Sequence, residues 1–379
     1  MKLVDLALQY KKIKKKIDTA IFETIKNGNF ILGKNVKKLE EKIAKLVGTK
    51  YAVGVNSGTD ALFLSLKALG IGPGDEVMTT PFTFIATAEV IANLGAKPVF
   101  IDINPETFNI NPFKIEEYLK TKKHKLKTKA IIPVHLFGQM AEMDEIMRIA
   151  KKYKLFVIED AAQAIGAKQK INGKWKMAGS IGQLGCFSFF PTKNLGGFGD
   201  GGIITTNDKK LAEKIRLLRN HGATKKYYHK FLGDSSRLDE LQAAILLAKL
   251  PYLKNWNKKR QKIAQFYNKN LKNVGDLIIP VVFKNNFHVY HQYTLRSKYR
   301  DGLKKYLEKN KIPTAIHYPL PLHLQPLFKN LGYKKGVLKE AERASKEVLS
   351  LPIYPELTLK NQRLIVEKIK NFFISNENE

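Results

Sequence analysis

The run YAVGVNSGTDALFLSLKALGIGPGDEVMTTPFTFIATAEVIANLGAKPVFI, from Tyr51 to Ile101, decides the fold class. Three short, largely apolar runs, Tyr51–Val55, Glu76–Thr79 and Lys97–Ile101, alternate with the segments Thr59–Leu69 and Ile85–Leu94. In those segments apolar residues recur at helical spacing. Strand alternating with helix predicts a mainly parallel sheet. The pattern continues through the strand candidates Ala130–Val134, Phe156–Glu159, Cys186–Phe189 and Gly202–Thr205, with helices expected over Met143–Lys152 and Lys209–Arg219. Several runs are apolar throughout, as in strands covered on both faces. The expectation is a seven-stranded α/β domain of three αβα layers.

Working outward, an amphipathic N-terminal helix and a second helix from Asn35 to Val47 precede the alternation. Beyond it, a helical stretch begins near Asp239 (DELQAAILLAKL) and breaks at Pro251. Single cores stop growing near ~250–300 residues, so a chain of 379 is expected to form two lobes. The boundary falls near that proline: 1–250 is a large domain and 251–379 a smaller α+β domain, with the N-terminal helix able to pack on the latter. In the small domain a charged helix, strands around Ile278–Val282 and Val289–Arg296, and two further helices are expected. The terminal SNENE reads as frayed.

Composition excludes several classes. Hydrophobic residues at 44% and charged residues at 26% describe an ordinary globular chain. No apolar run approaches the ~20 residues of a membrane helix, and the N-terminus lacks a long apolar signal core, so a cytoplasmic protein is expected. The lone Cys186 excludes an internal disulfide and a cysteine-based zinc cage. The formal charge of +32 suggests nucleic acid. Only nine of the cations are arginine, however, and lysines such as Lys37, Lys38, Lys42 and Lys45 surround an apolar stripe of Val36, Leu39, Ile43, Leu46 and Val47. That is a solvated helix face rather than a specific nucleic-acid surface.

Three segments carry chemistry. In CFSFFPTKNLGGFGDGGIITTND, Cys186–Asp208, the glycines 197, 199 and 202 match GxGxxG but lead into a β-branched run, whereas a dinucleotide fingerprint must open a helix. What remains is Lys193, after a buried strand and before a glycine-rich turn. In FVIEDAAQAIGA, Phe156–Ala167, an apolar strand ends in Glu159 and Asp160, and the carboxyl ends of parallel strands are where α/β ligand sites lie. Asp160 could hold a heteroaromatic nitrogen protonated or simply cap a helix, and Gln163 follows one helical turn later. In VGVNSGTDALFLSLKAL, Ser57-Gly58-Thr59 opens a helix, a seat for phosphate or only a cap. Together these supply a phosphate cradle, a carboxylate for a pyridine nitrogen and an amine for an aldehyde, the requirements of pyridoxal 5'-phosphate (PLP).

At these residues the sequence resembles the DegT-type nucleotide-sugar aminotransferases, which are fold-type I PLP enzymes. The resemblance runs from FILGKNVKKLEE through NSGTDAL, TPFTFIATAE, PVFIDI, EDAAQAIGA, FSFFPTKNLGGFGDGG and SRLDELQAAIL to IHYPLPLHLQP and LSLPIYPEL, nearly the whole chain. It implies that Lys193 is the Schiff-base lysine, Asp160 the partner of the pyridinium nitrogen and Gln163 the neighbour of the cofactor's 3-hydroxyl. It further implies that Phe84 stacks on the cofactor and that Gly58, Thr59 and Ser188 hold its phosphate. Ser235 departs from the pattern. Relatives commonly place there an Asn that reaches the cofactor phosphate of the neighbouring subunit, and the resemblance therefore implies a homodimer with shared active sites. On the substrate side it points to Gly28, Phe30, Thr192, Arg237, His317 and Tyr318. Many relatives have Tyr where Phe30 stands. A metal between His317 and His323 is disfavoured, because prolines break the spacing and no carboxylate partner is evident.

The expected activity is transfer of the amino group of L-glutamate to a nucleotide-linked ketosugar. HQYTLR, IHYPLPLHLQP and NHGATKKYYHK look closer to relatives that aminate C3 than C4. The competitors are a C4 aminotransferase, a sugar 3-dehydratase, in which His usually replaces the Schiff-base lysine, a basic nucleic-acid binder and a regulatory protein on a degenerate PLP fold.

Overall fold

All seven apolar runs become strands of one sheet in a computed structural model, which describes residues 1–121 and 127–377. In chain order the strands are β1 (Tyr51–Val55), β2 (Glu76–Thr79), β3 (Lys97–Phe100), β4 (Thr128–Ile132), β5 (Phe156–Asp160), β6 (Lys168–Ile171), β7 (Lys174–Met177), β8 (Leu184–Ser188) and β9 (Gly202–Thr206). The main sheet has the order β1-β9-β8-β5-β4-β2-β3. Only β9 runs against its neighbours; every other pair is parallel. Two strands start earlier than their sequences suggest, because register decides: Thr128 pairs with Glu76, and Leu184 with Ile158.

The helices of this unit are α1 (Leu6–Asn27), α2 (Lys34–Val47), α3 (Gly58–Ala68), α4 (Ala86–Asn93), α5 (Pro112–Thr121), α6 (Met143–Tyr153) and α7 (Lys209–Leu218); α5 is absent from the sequence expectations. Period-two alternation sorts the strand residues onto two faces. Met78, Ile131, Val157 and Phe187 pack with Leu39, Ile43, Ile115 and Ile146 on one side. Val77, Ile132, Ile158 and Cys186 pack with Leu62, Leu66, Val90 and Ile215 on the other. This is the expected three-layer fold-type I arrangement. Local signals set the helix ends: the Ser57 hydroxyl accepts from Asp60 N–H at 3.0 Å to start α3, and Gly28 ends α1 at φ +65°. A distant carboxylate caps α2, since Glu240 accepts from the N–H groups of Asn35 and Val36 at 2.9 and 2.8 Å.

The glycine-rich turn, residues 189–201, connects antiparallel β8 and β9, as its β-branched exit suggested. A hairpin, β10 (Ala223–Lys225) and β11 (Tyr228–His229), leads to α8 (Glu240–Lys249). Pro251 sits in a single 3₁₀ turn, after which the chain resumes as α9 (Leu253–Leu271). The sequence reading of the following segment needs correction. Residues 278–282 form no strand, and Ile278 makes one bridge to Arg296. Instead β13 (Tyr293–Arg296) pairs with β14 (Val348–Leu351), while β12 (Asn286–Phe287) joins β6 and β7 in a separate sheet. Three helices follow rather than two: α10 (Arg300–Lys309), α11 (Lys339–Glu347) and α12 (Leu359–Glu377). The expected fraying of SNENE falls partly on Asn378 and Glu379, outside the described residues, and α12 includes Ser375.

Tyr267, Tyr293, Leu303, Leu351 and Phe373 belong to a core whose buried members lie within residues 263–373, with Val4 of the N-terminal segment packed against it. Phe82, Val134 and Phe137 pack with Ala341, Ala344 and Val348, joining that unit to the carboxyl ends of the main sheet. The N-terminal helix contributes Ile13 and Ile17 to a cluster with Ile245 of α8 and Trp256 of α9. No helix among the described residues is long and apolar enough to cross a membrane.

Candidate active site

Asp160 closes β5. Its carbonyl accepts from His135 N–H at 3.0 Å and its own N–H donates to the Pro133 carbonyl at 2.9 Å, which fixes its backbone against the extension of β4. By alternation its side chain shares the face of Ile158 and α3, where Thr87 of α4 donates to Oδ2 at 2.8 Å and Ala162 N–H to Oδ1 at 3.2 Å. Burial raises its pKa, opposed by those two donors and by the positive charge of Lys193. Glu159 points to the opposite face. There it accepts from the N–H groups of Gly179, Ile181 and Gly182 at 2.8, 2.6 and 2.7 Å and meets His135 Nε2 at 2.9 Å. Of two adjacent carboxylates, one anchors a turn and the other lies on the opposite face with Thr87, in the field of Lys193.

Lys193 lies in the β8–β9 turn, with Thr192 half-buried beside it. Its N–H donates to the Phe190 carbonyl at 2.9 Å, and Gly197 N–H closes the turn on the Phe189 carbonyl at 2.7 Å. Burial lowers the Lys193 amine to about 8, while Asp160 pulls the other way. Half of such amines are neutral, and nucleophilic, near pH 8.

At the start of α3, Ser57 spends its hydroxyl on the cap, leaving the N–H groups of Gly58 and Thr59 ahead of any intrahelical acceptor. A Cβ on Gly58 would stand 2.7 Å from that of Ser188, so only glycine lets the helix approach the end of β8 so closely. Phe84, just before α4, keeps 57% of its surface exposed. Gln163 accepts from Phe137 N–H at 2.7 Å through Oε1 and donates to the Tyr318 hydroxyl at 3.2 Å. His317 meets Ser350 Oγ at 2.9 Å, and burial followed by the charge of Lys193 pushes its pKa down to about 4. The HYP segment therefore lies over the end of β5 with a neutral imidazole.

Asp160, Gln163, Lys193, His317 and Tyr318 thus come together, with Gly58, Thr59 and Ser188 on the α3 side. Gly28, Phe30, Ser235 and Arg237 do not bond to them. Phe30 offers its carbonyl to Glu240 N–H at 3.0 Å, and Arg237 donates to Ser235 Oγ at 2.7 Å and Asn220 Oδ1 at 2.8 Å. Two participants escaped the sequence reading. Thr87 stands one turn after Thr83, with 3.1 Å between their hydroxyls, a spacing visible in TFIAT. Asn194, next to Lys193, donates to Asn257 Oδ1 at 2.8 Å and to the Val289 carbonyl at 3.2 Å, and meets His291 Nδ1 at 3.3 Å. His323 has a carboxylate partner after all, Glu342 at 3.2 Å, but no described group of three or more side chains could hold a metal.

An anion seat at a helix start, a buried carboxylate whose charge calls for a cation, and a deprotonatable amine within the field of that carboxylate fit pyridoxal phosphate. On this fold they define a PLP-dependent transferase of fold type I. The DegT/DnrJ/EryC1/StrS aminotransferase family matches residues 11–370, and the chain belongs to that family. It is a PLP-dependent aminotransferase of nucleotide sugars. Among its relatives, a pleiotropic regulatory protein of Geobacillus stearothermophilus is 53% identical, over 98% of each chain. The UDP-2-acetamido-2-deoxy-3-oxo-D-glucuronate aminotransferase of Pseudomonas aeruginosa is 44% identical over 98% of this chain and 100% of its own. The X-ray structure of S. venezuelae DesV in complex with a ketimine intermediate superposes with a TM-score of 0.93 at 38% identity, over 98% of each chain.

Proposed function

We propose that the enzyme moves the amino group of L-glutamate to the keto carbon of a UDP- or dTDP-linked 3-ketosugar, releasing 2-oxoglutarate in a ping-pong cycle. The observation that carries this reading is the Lys193 amine, lowered to about 8 within the field of buried Asp160. Bound PLP supplies an aldehyde that holds the amino group and a ring that accepts the electron pair of a broken C–H bond. Lys193 would hold the cofactor through its amine and, as the base beside it, would take and return the proton of the substrate Cα. Asp160, its Oδ2 held by Thr87, would keep the ring nitrogen protonated. The N–H groups of Gly58 and Thr59 and the Ser188 hydroxyl would bind the phosphate, and Phe84 and Gln163 are the residues that would meet the ring and its 3-hydroxyl.

Thr192, Arg237, His317, Tyr318, Gly28 and Phe30 would face the sugar. The homodimer is supported by Phe22, Ile25, Phe30, Ile31 and Leu32, large apolar side chains left exposed within one stretch of chain. Ser235, exposed and held by Arg237, reaches the neighbour's phosphate through its shorter hydroxyl. The division at Pro251 into domains 1–250 and 251–379 is supported by the separate core of residues 263–373. The name of the Pseudomonas relative, a 3-oxo sugar aminotransferase, favours C3 over C4. Lys193, where sugar dehydratases of this fold usually have His, favours amination.

Incubation with a panel of UDP- and dTDP-ketosugars plus L-glutamate, read by mass spectrometry, should show oxygen replaced by an amine on a 3-ketosugar. Amination of 4-ketosugars alone would move the reading to C4, and deoxysugar with released ammonia would make the enzyme a dehydratase. The yellow holoenzyme should bleach on adding L-glutamate. A Lys193→Ala variant that still turns over would reject the central assignment.

A further inference from the structure

Lys249, the last residue of α8, is 1% exposed, less than any other lysine among the described residues. It forms no ion pair with a described residue. Its Nζ donates to the Gly196 carbonyl at 2.6 Å and stands 4.7 Å from the centroid of the Phe198 ring. Burying an ammonium against one carbonyl and one ring is unfavourable compared with an apolar side chain of similar length. Burial accordingly lowers its pKa to about 8. A group held at such cost has its use in geometry.

That geometry concerns the turn bearing Lys193. The Phe189 carbonyl and Gly197 N–H, 2.7 Å apart, close the turn at its base, and Lys193 stands between them near the apex. Two turns before Lys249 on the same helix, Gln242 Oε1 accepts from Phe198 N–H at 2.8 Å, and a Cβ on Gly197 would lie 2.7 Å from that oxygen. A Cβ on Gly196 would lie 2.3 Å from the Pro191 carbonyl, so the turn folds tightly on itself just where Lys249 grips it. Thus α8 holds residues 196, 197 and 198 from beneath.

We propose that Lys249 is a positioning residue, its ammonium fixing the base of the 189–197 turn and so aiming the Lys193 amine. This rests on the reading that Lys193 carries the cofactor. The test compares unmodified protein with Lys249→Met and Gln242→Ala, each stripped of cofactor and then mixed with PLP. Borohydride is added at timed intervals, and peptide masses report the label at residue 193.

Lys249→Met removes the charge and the donor but keeps the length. The expected result is a thermal midpoint equal to or above that of the unmodified protein, with capture at Lys193 slowed roughly 10- to 100-fold, the effect of a displacement near 1 Å. The kcat should fall in parallel, with KM for glutamate little changed. Gln242→Ala should slow capture in the same direction. Capture at the unmodified rate in Lys249→Met overturns the inference alone. So does a large drop in thermal midpoint with normal capture by the folded fraction, which would make the ammonium a structural cation. Absence of label at Lys193 in the unmodified protein overturns the cofactor reading, and this inference with it.

Discussion

Burial acts on Asp160 and Lys193 in opposite senses, raising the carboxyl and lowering the amine, so without a ligand both lean toward their neutral forms. A cation set against Asp160 restores the charge that burial opposes, which makes the pair receptive to a protonated ring. The linkage has a definite sign. A carboxyl whose folded pKa is raised binds more protons folded than unfolded as pH climbs from the ordinary value, so native stability is lost through that interval. Asp160→Asn is therefore expected to leave the cofactor-free protein at least as stable as the original at neutral pH, measured by thermal melting. Asp160 also raises the Lys193 pKa through its charge. Its removal should therefore move the pH of half-maximal capture by PLP below the original value near 8, while transamination falls roughly 10²- to 10⁴-fold. A midpoint that moved upward would show that the two groups are not coupled as the structure has them.

At the level of elements, the contact between α3 and the end of β8 gives the phosphate seat its shape. Gly58→Ala would put a methyl 2.7 Å from Ser188 Cβ, closer than side chains tolerate, so the start of α3 must move away from the strand. Overpacking of this kind costs about 1–3 kcal/mol, and here it falls on the N–H groups that meet the phosphate. PLP affinity, titrated by absorbance, should drop at least tenfold, and Gly72→Ala, beyond the far end of α3 and with only the Leu94 carbonyl 3.9 Å from its Cβ, offers a control remote from the phosphate seat. The same elements show what the sequence could reveal. The seven strands were legible because strands covered on both faces read as unbroken apolar runs, and the end of β5 because its apolar run stops in carboxylates. The hairpin β6–β7 was not, since KQKINGKWKM alternates charge with scattered apolar residues and only one strand face finds cover. Nor was β14, whose VLSL becomes a strand through pairing with β13 more than 50 residues earlier. The roles of Thr87 and Asn194 were hidden for the same reason, although the Thr83–Thr87 spacing was not: their partners, Asp160 and Asn257, are distant in sequence.

For the whole molecule, pH and salt probe different populations of charge. Burial pushes His288 down to about 3, His317 to about 4 and His291 well below its ordinary value. Each binds fewer protons folded than unfolded below pH ~6.5, so stability is present above that value and lost as pH falls toward the folded pKa values. Acid melting should therefore steepen below pH ~6, with His288→Asn or His317→Asn flattening its share of the slope. The +32 surface works by another route. Its lysines are mostly solvated, and their summed field falls off over a Debye length of ~8 to 10 Å at 0.1–0.15 M salt. Such a field raises the encounter rate with dianionic nucleotide sugars without touching the chemistry at Lys193. Raising NaCl from ~0.05 to ~0.3 M should thus increase KM for the nucleotide sugar several-fold, increase KM for singly charged glutamate less, and leave kcat nearly constant. The same reasoning predicts release from heparin at modest salt. Retention beyond ~1 M salt, with KM unmoved, would instead mean that the lysines form a specific polyanion site and that substrate steering is not their work.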